Sequence, residues 1–214
     1  MSEIIRLNGI VLSASPVGDN DKRVVIETSE LGRITAFSRG CRRPSSPLIA
    51  ASNPFAMGEF MVAAGSSAYR LAEADIRDYF RELTEKQPEV FIGFYFLDLV
   101  DYYGREGIPG TAMLNLLYYS LKALLDDNID NRFIRRAFEL RLIYENGEYA
   151  PNKGQLSEEL YSLVEKITRG HVARIFTAKV SEDDISGLEK LAERVRRNVI
   201  DRRLKSLEIM ESML

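Results

Sequence analysis

Four arginines and no acid lie within the eleven residues from Arg33 to Arg43, around one aromatic ring, Phe37. If Arg33 to Arg39 is a strand, alternate residues share a face. Arg33, Thr35, Phe37 and Arg39 then point one way, and Ile34, Ala36 and Ser38 the other. Guanidinium groups beside an aromatic ring on an exposed barrel face can hold phosphates while the ring stacks on a base. Arg42 and Arg43 follow in a turn marked by Gly40 and Pro44, from which long side chains can reach a backbone. Lys22-Arg23 opens the preceding strand, and antiparallel pairing can bring it beside the patch. The candidate set is therefore Lys22, Arg23, Arg33, Phe37, Arg39, Arg42 and Arg43. The plainer alternative is a ring packed inward and arginines that are merely solvated. Asp19 and Asp21 dilute the local charge.

Other constellations carry less chemistry. Lys190, Arg194 and Arg197 share one face of a C-terminal helix, opposite the apolar stripe Leu188, Leu191, Ala192, Val195 and Val199. Glu189, Glu193 and Asp201 are interleaved, so ion pairing on a solvated helix is the simpler reading. The aromatics of residues 91–103 stand among aliphatic neighbours at helical spacing and read as core. No GxxxxGK[ST] or GxGxxG phosphate loop is present. Cys41 is the only cysteine and His171 the only histidine, 130 positions apart, with no fixed-spacing nucleophile–base pair. One Cys and one His cannot form a disulfide, a four-thiolate zinc site or a two-His metal site. We expect no catalysis, no cofactor and no metal.

The elements that position the patch change grammar along the chain. Residues 4–12, 23–28, 33–38, 59–64 and 68–72 are short runs rich in Ile, Val, Phe and Thr. Turn clusters separate them, among them Ser15-Pro16-Val17-Gly18, Pro44-Ser45-Ser46-Pro47 and Gly65-Ser66-Ser67. Five short strands suit a small closed barrel, of OB or SH3-like type. Helices are expected at 85–103, 111–126, 131–144 and 157–168, and a last one from Ser181, where Ser181-Glu182-Asp183-Asp184 suggests a cap. The fold class is α+β: a five-stranded barrel over 1–80 and an all-helical remainder over 81–214.

The 214 residues fit one or two domains. With 29 Lys and Arg against 32 Asp and Glu, the net charge is −3. That excludes a globally basic coat but not a local basic patch. The longest charge-free runs reach 15 residues, too few to span a bilayer. Met1-Ser2-Glu3-Ile4-Ile5-Arg6 lacks the layout of a signal peptide, so a cytoplasmic protein is expected.

The order of segments resembles the bacterial recombination mediator family RecO. Gly9-Ile10-Val11-Leu12 is similar to its opening strand, and Gly18-Asp19-Asn20-Asp21 running into Lys22-Arg23-Val24-Val25 to its following turn and strand. Thr28-x-x-x-Gly32-Arg33-Ile34 and Arg39-Gly40-x-Arg42-Arg43-x-Ser45 look like the family's most typical stretch, and Pro54-Phe55 like its next marker. Phe138 to Tyr144 with Gly147, and Arg203-Leu204-Lys205-Ser206-Leu207, continue the likeness more sparsely. Many RecO proteins carry a four-Cys zinc module after the Gly turn. Here that place is Ala150 to Gln155, without cysteine.

The resemblance implies an N-terminal OB-fold and a helical C-terminal part, with no covalent chemistry. It implies binding of single- and double-stranded DNA and annealing of complementary strands. The partners it implies are RecR and the acidic C-terminal tail of the single-stranded-DNA-binding protein, together assisting RecA loading. Location would be the bacterial cytoplasm, at the nucleoid, with no membrane contact. For the acidic tail, Arg132, Arg135, Arg136 and Arg141 near Phe133 and Phe138 mark the candidate region. A protein–protein adaptor with incidental DNA contact is the rival, favoured by the acidic charge.

Overall fold

The computed structural model describes residues 4–65, 68–177 and 179–213. Met1 to Glu3, and Ser66 and Ser67 of an expected turn, lie outside the described residues.

Five strands close into a barrel: β1 (Ile4–Val17), β2 (Asp21–Thr28), β3 (Gly32–Ser38), β4 (Met57–Ala63) and β5 (Tyr69–Asp78). Their order around the barrel is β1-β2-β3-β5-β4. Neighbours are antiparallel except β3 and β5, which run parallel. A short helix, α1 (Leu48–Ala51), lies between β3 and β4. This is the OB arrangement, which decides between the two barrels that the strand pattern left open.

Closure depends on β1, which serves two partners. Ile4 to Ile10 pairs with β4, and Gly9 to Val17 with β2. A register shift between Val11 and Ser13 lets the strand bend from one to the other. Gly9 sits where the two ladders overlap, and a Cβ there would come 2.3 Å from the Glu27 carbonyl oxygen. β1 and β5 run five and six residues past their expected ends, through Ser13–Val17 and Glu73–Asp78. Those extensions are polar and exposed in part, so they lack the hydrophobic signature of a strand although their backbones are paired.

Burial alternates residue by residue along β3: Ile34, Ala36 and Ser38 face in, and Arg33, Thr35 and Phe37 face out. The interior is filled by Leu7, Val11, Val24, Ile26, Ile34, Phe60, Val62 and Leu71. Leu48 and Ala51 of α1 join that cluster. Ser52, just after the helix, donates its hydroxyl to the buried Ser38 hydroxyl at 2.8 Å.

The remainder is helical, with α2 (Arg81–Glu85), α3 (Glu89–Tyr103), α4 (Thr111–Ala123), α5 (Asn131–Glu145), α6 (Glu158–Arg169), α7 (Glu182–Val199) and α8 (Lys205–Met213). The helix expected over 85–103 begins only at Glu89; Glu85 ends the short α2, and Lys86 to Pro88 part the two, because proline cannot continue a helix that would need its N–H. α7 starts where the spacing predicts. The Ser181 hydroxyl accepts from the Asp184 N–H at 3.2 Å and donates to its carboxylate at 2.7 Å. α8 follows the tail basic cluster and was not foreseen from the pattern.

The chain divides into two compact units: the chain up to Thr84 with Leu97–Leu114, and Glu85–Phe96 with Asn115–Leu214. In the first unit, the stretch from Gly104 to Thr111 lies against the β2–β3 turn. Gly107 N–H donates to the Leu31 carbonyl at 2.8 Å and Gly110 N–H to that of Thr28 at 3.0 Å. In the second unit, Phe96 stacks on Phe138 at 3.9 Å between ring centres. The fully buried Glu139 accepts from the Tyr95 hydroxyl at 2.8 Å, from Arg135 at 3.1 Å and from Arg136 at 2.9 Å. Arg136 also reaches Glu193 of α7 at 2.9 Å. Burial alone would raise the Glu193 carboxyl, but hydrogen bonds from Arg197 and Arg196, with the charge of Arg136, hold it at about 2.

Candidate nucleic-acid interface

The outer face of β2 and β3 is organised by their register. Arg23 stands opposite Phe37, Val25 opposite Thr35, and Glu27 opposite Arg33. The lower end of this face is enclosed. Glu27 is fully buried, and a Cβ on Gly104 or Gly110 would come within 2.6 Å or 2.1 Å of its carboxylate oxygens. Arg33 donates from Nε to Asp101 at 2.6 Å. The upper end is open: Arg23 and Arg39 are exposed and Phe37 is half-buried.

Arg39 follows β3, one residue past its paired end, and the chain turns at Gly40, whose φ is +64°. Asp21 fixes this turn by accepting from the Gly40 N–H at 2.8 Å. Arg42 N–H donates to the Asn20 carbonyl at 3.0 Å, and its guanidinium donates to that of Gly18 at 3.1 Å. The β1–β2 turn and the loop after β3 are thus tied together. Arg42 and Arg43 are exposed at the end of the barrel where β1 turns into β2. Guanidinium offers five donors, so Arg42 keeps others for a ligand. Among the described residues, the guanidinium groups of Arg39 and Arg43 have no hydrogen-bond or ion-pair partner.

Of the seven residues singled out in the sequence, five share this end of the barrel: Arg23, Phe37, Arg39, Arg42 and Arg43. Two stand apart. Lys22 has the opposite parity to Arg23 and reaches Asn53 Oδ1 at 2.5 Å and the Ser52 carbonyl at 3.4 Å. Arg33 shares the face but is held by Asp101, 68 positions away in sequence. One residue was missed. Parallel pairing of β3 with β5 sets the exposed Arg70 opposite Phe37. Only the OB strand order, in which the fifth strand returns beside the third, could have pointed to it.

Most of the other candidates are committed elsewhere. Arg132 pairs with Asp130 and Glu182, Arg135 with Glu139 and Glu211, and Arg136 with Glu139 and Glu193. Arg141 pairs with Glu145 and donates to the carbonyls of Ile167 and Gly170. On α7, Arg197 pairs with Glu193, and Lys190 and Arg194 border a notch beside Asn198. Cys41 is buried within the barrel cluster. His171 Nδ1 accepts from the Ala173 N–H at 3.3 Å, closing a local turn. Among the described residues no group of three or more His, Cys, Asp or Glu side chains is gathered as a metal site, and no helix is long and apolar enough to cross a membrane.

An OB barrel with a cationic, ring-bearing outer face, followed by helices, defines the class: an OB-fold protein with a helical C-terminal part. Residues 1–80 match the family model described as "Recombination protein O N terminal". The protein named DNA repair protein RecO of Alkaliphilus metalliredigens is 32% identical over 144 residues, 67% of this chain and 58% of that protein. Its namesake in Caldicellulosiruptor saccharolyticus is 31% identical over 145 residues, 68% of this chain and 59% of that protein. The one from Acetivibrio thermocellus is 22% identical over an alignment spanning 98% of this chain and 97% of its own length. The chain belongs to the RecO family. Its stronger matches span rather more than half the length of those relatives.

Proposed function

We propose that this chain is a recombination mediator of DNA repair that holds DNA on the open end of the β2–β3 face. The observation that carries the reading is the juxtaposition of the ring of Phe37 with Arg23 and the unpartnered Arg39 and Arg43, on a barrel whose type binds oligonucleotides on this face. Relatives named as DNA repair proteins support the process. In this reading the protein binds single and double strands and anneals complementary ones. With RecR it assists RecA loading, and it meets the acidic tail of the single-stranded-DNA-binding protein, in the bacterial cytoplasm at the nucleoid. It acts by binding and not by catalysis. The enclosure of Cys41 and the engagement of His171 with its own backbone agree with that.

The acidic net charge favours a second reading, a protein adaptor with incidental DNA contact. A salt titration of single-strand binding separates the two. Phosphate contacts release counterions, so the folded variant Arg39→Ala/Arg42→Ala/Arg43→Ala should bind more weakly and with a salt slope flatter by about 2. Unchanged affinity and unchanged slope would remove the barrel from the DNA site.

A further inference from the structure

Phe37 lies at one level with two arginines on neighbouring strands. The antiparallel register of β2 and β3 sets Arg23 on one side of it, and the parallel register of β3 and β5 sets Arg70 on the other. Their chain neighbours Val24, Ala36 and Leu71 are buried in the barrel, so all three side chains leave the outer face. The row spans two interstrand spacings, about 10 Å. Among the described residues the Arg70 guanidinium has no hydrogen-bond or ion-pair partner, and that of Arg23 meets only the Thr35 hydroxyl, at a long 3.4 Å. The row below, Val25 and Thr35, is uncharged. No carboxylate stands in the row to compete for either guanidinium.

We infer that Arg23, Phe37 and Arg70 form a single-nucleotide station that takes an unpaired base on the ring and its flanking phosphates on the two guanidiniums. The inference rests on the DNA-binding reading above and adds Arg70 to it, with single strands as the class of ligand. Selection follows from shape. Phe37 is half-buried and flanked by long side chains, so a base must present its face to the sheet. In a duplex that face is covered by stacked neighbours, whereas an unpaired base can splay out and stack. A duplex still offers phosphates, which the loop arginines Arg39, Arg42 and Arg43 can reach without any base contact.

The chain has no tryptophan, so Phe37→Trp introduces a lone reporter at the station. Its emission should be quenched by oligothymidylate, and neither by an abasic strand nor by a blunt duplex of the same length. In anisotropy titrations of the full chain, Arg70→Ala should weaken oligothymidylate binding several-fold and flatten its salt slope by about 0.7. Duplex affinity should change less than twofold, and Arg70→Lys should restore the slope. If Arg70→Ala binds strands like the parent while the triple loop variant does not, the station is wrong and the DNA-binding reading stands. If every variant binds like the parent, the reading itself fails. Equal loss for strand and duplex, or tryptophan emission blind to oligothymidylate, overturns the station.

Discussion

Glu27 sits on the outer face of β2 with neither carboxylate oxygen hydrogen-bonded among the described residues, and it is fully buried. Such a group is stable only when neutral. Burial pushes its carboxyl up to about 8; the charge of Arg33 pulls it down, and that of Asp101 adds to the rise. Arg33 is taken by Asp101 and forms no salt bridge with Glu27. Because the folded pKa lies above the unfolded value of 4.5, protonated Glu27 favours the fold fully below pH 4.5, and that contribution is lost as pH rises through 8. Glu27→Gln keeps the shape and cannot ionise. Relative to the parent, the variant should gain stability steadily across that window, by on the order of 5 kcal/mol at pH 9. Urea unfolding at pH 5, 7 and 9 measures it, and a constant difference at all three would show that Glu27 does not titrate in the fold.

The element that encloses Glu27 is the stretch from Gly104 to Thr111, and its glycines fit where no side chain would. A Cβ on Gly110 would lie 2.1 Å from Glu27 Oε1 and 2.6 Å from the Thr28 carbonyl oxygen, and the second of these is backbone that cannot swing aside. Gly110→Ala should therefore lose the Gly110 N–H bond to Thr28 and destabilise the first unit by about 1–3 kcal/mol. Thermal unfolding checks the loss, and hydrogen exchange at Gly107 and Gly110 should locate it; a variant as stable as the parent would show that this segment adapts freely. Elements of this kind also explain what the sequence could and could not display. β3 was readable because its alternation is strict, and α7 because Ser181 marks its start. Lys22 was grouped with Arg23 although adjacent strand residues face opposite ways, a rule that by itself separates them. The loss of Arg33 to Asp101, the arrival of Arg70 beside Phe37 and the burial of Glu27 are contacts between distant segments, on which local periodicity is silent.

At the scale of the molecule, the proposed function requires an acidic chain to hold a polyanion. Its net charge of −3 repels DNA at long range, and many of its cations are neutralised at home. Arg132, Arg135, Arg136, Arg141, Arg196, Arg197 and Arg203 are all in ion pairs. Binding must then come from a short list of available guanidiniums at close range, not from a diffuse positive field. At the open end of the barrel these are Arg23, Arg39, Arg42, Arg43 and Arg70. At about 0.7 counterions released per phosphate contact on a single strand, five contacts limit the salt slope to about −3.5. Affinity should also be nearly independent of sequence, because phosphate contacts carry no base information and stacking tolerates every base. Titrating the parent protein with oligothymidylate and with a mixed-sequence strand, each across a series of salt concentrations, measures both. Parallel lines no steeper than that limit are expected. A markedly steeper slope would mean that further cations engage DNA, and the uncommitted Lys190 and Arg194 of α7 would be the first to replace by alanine.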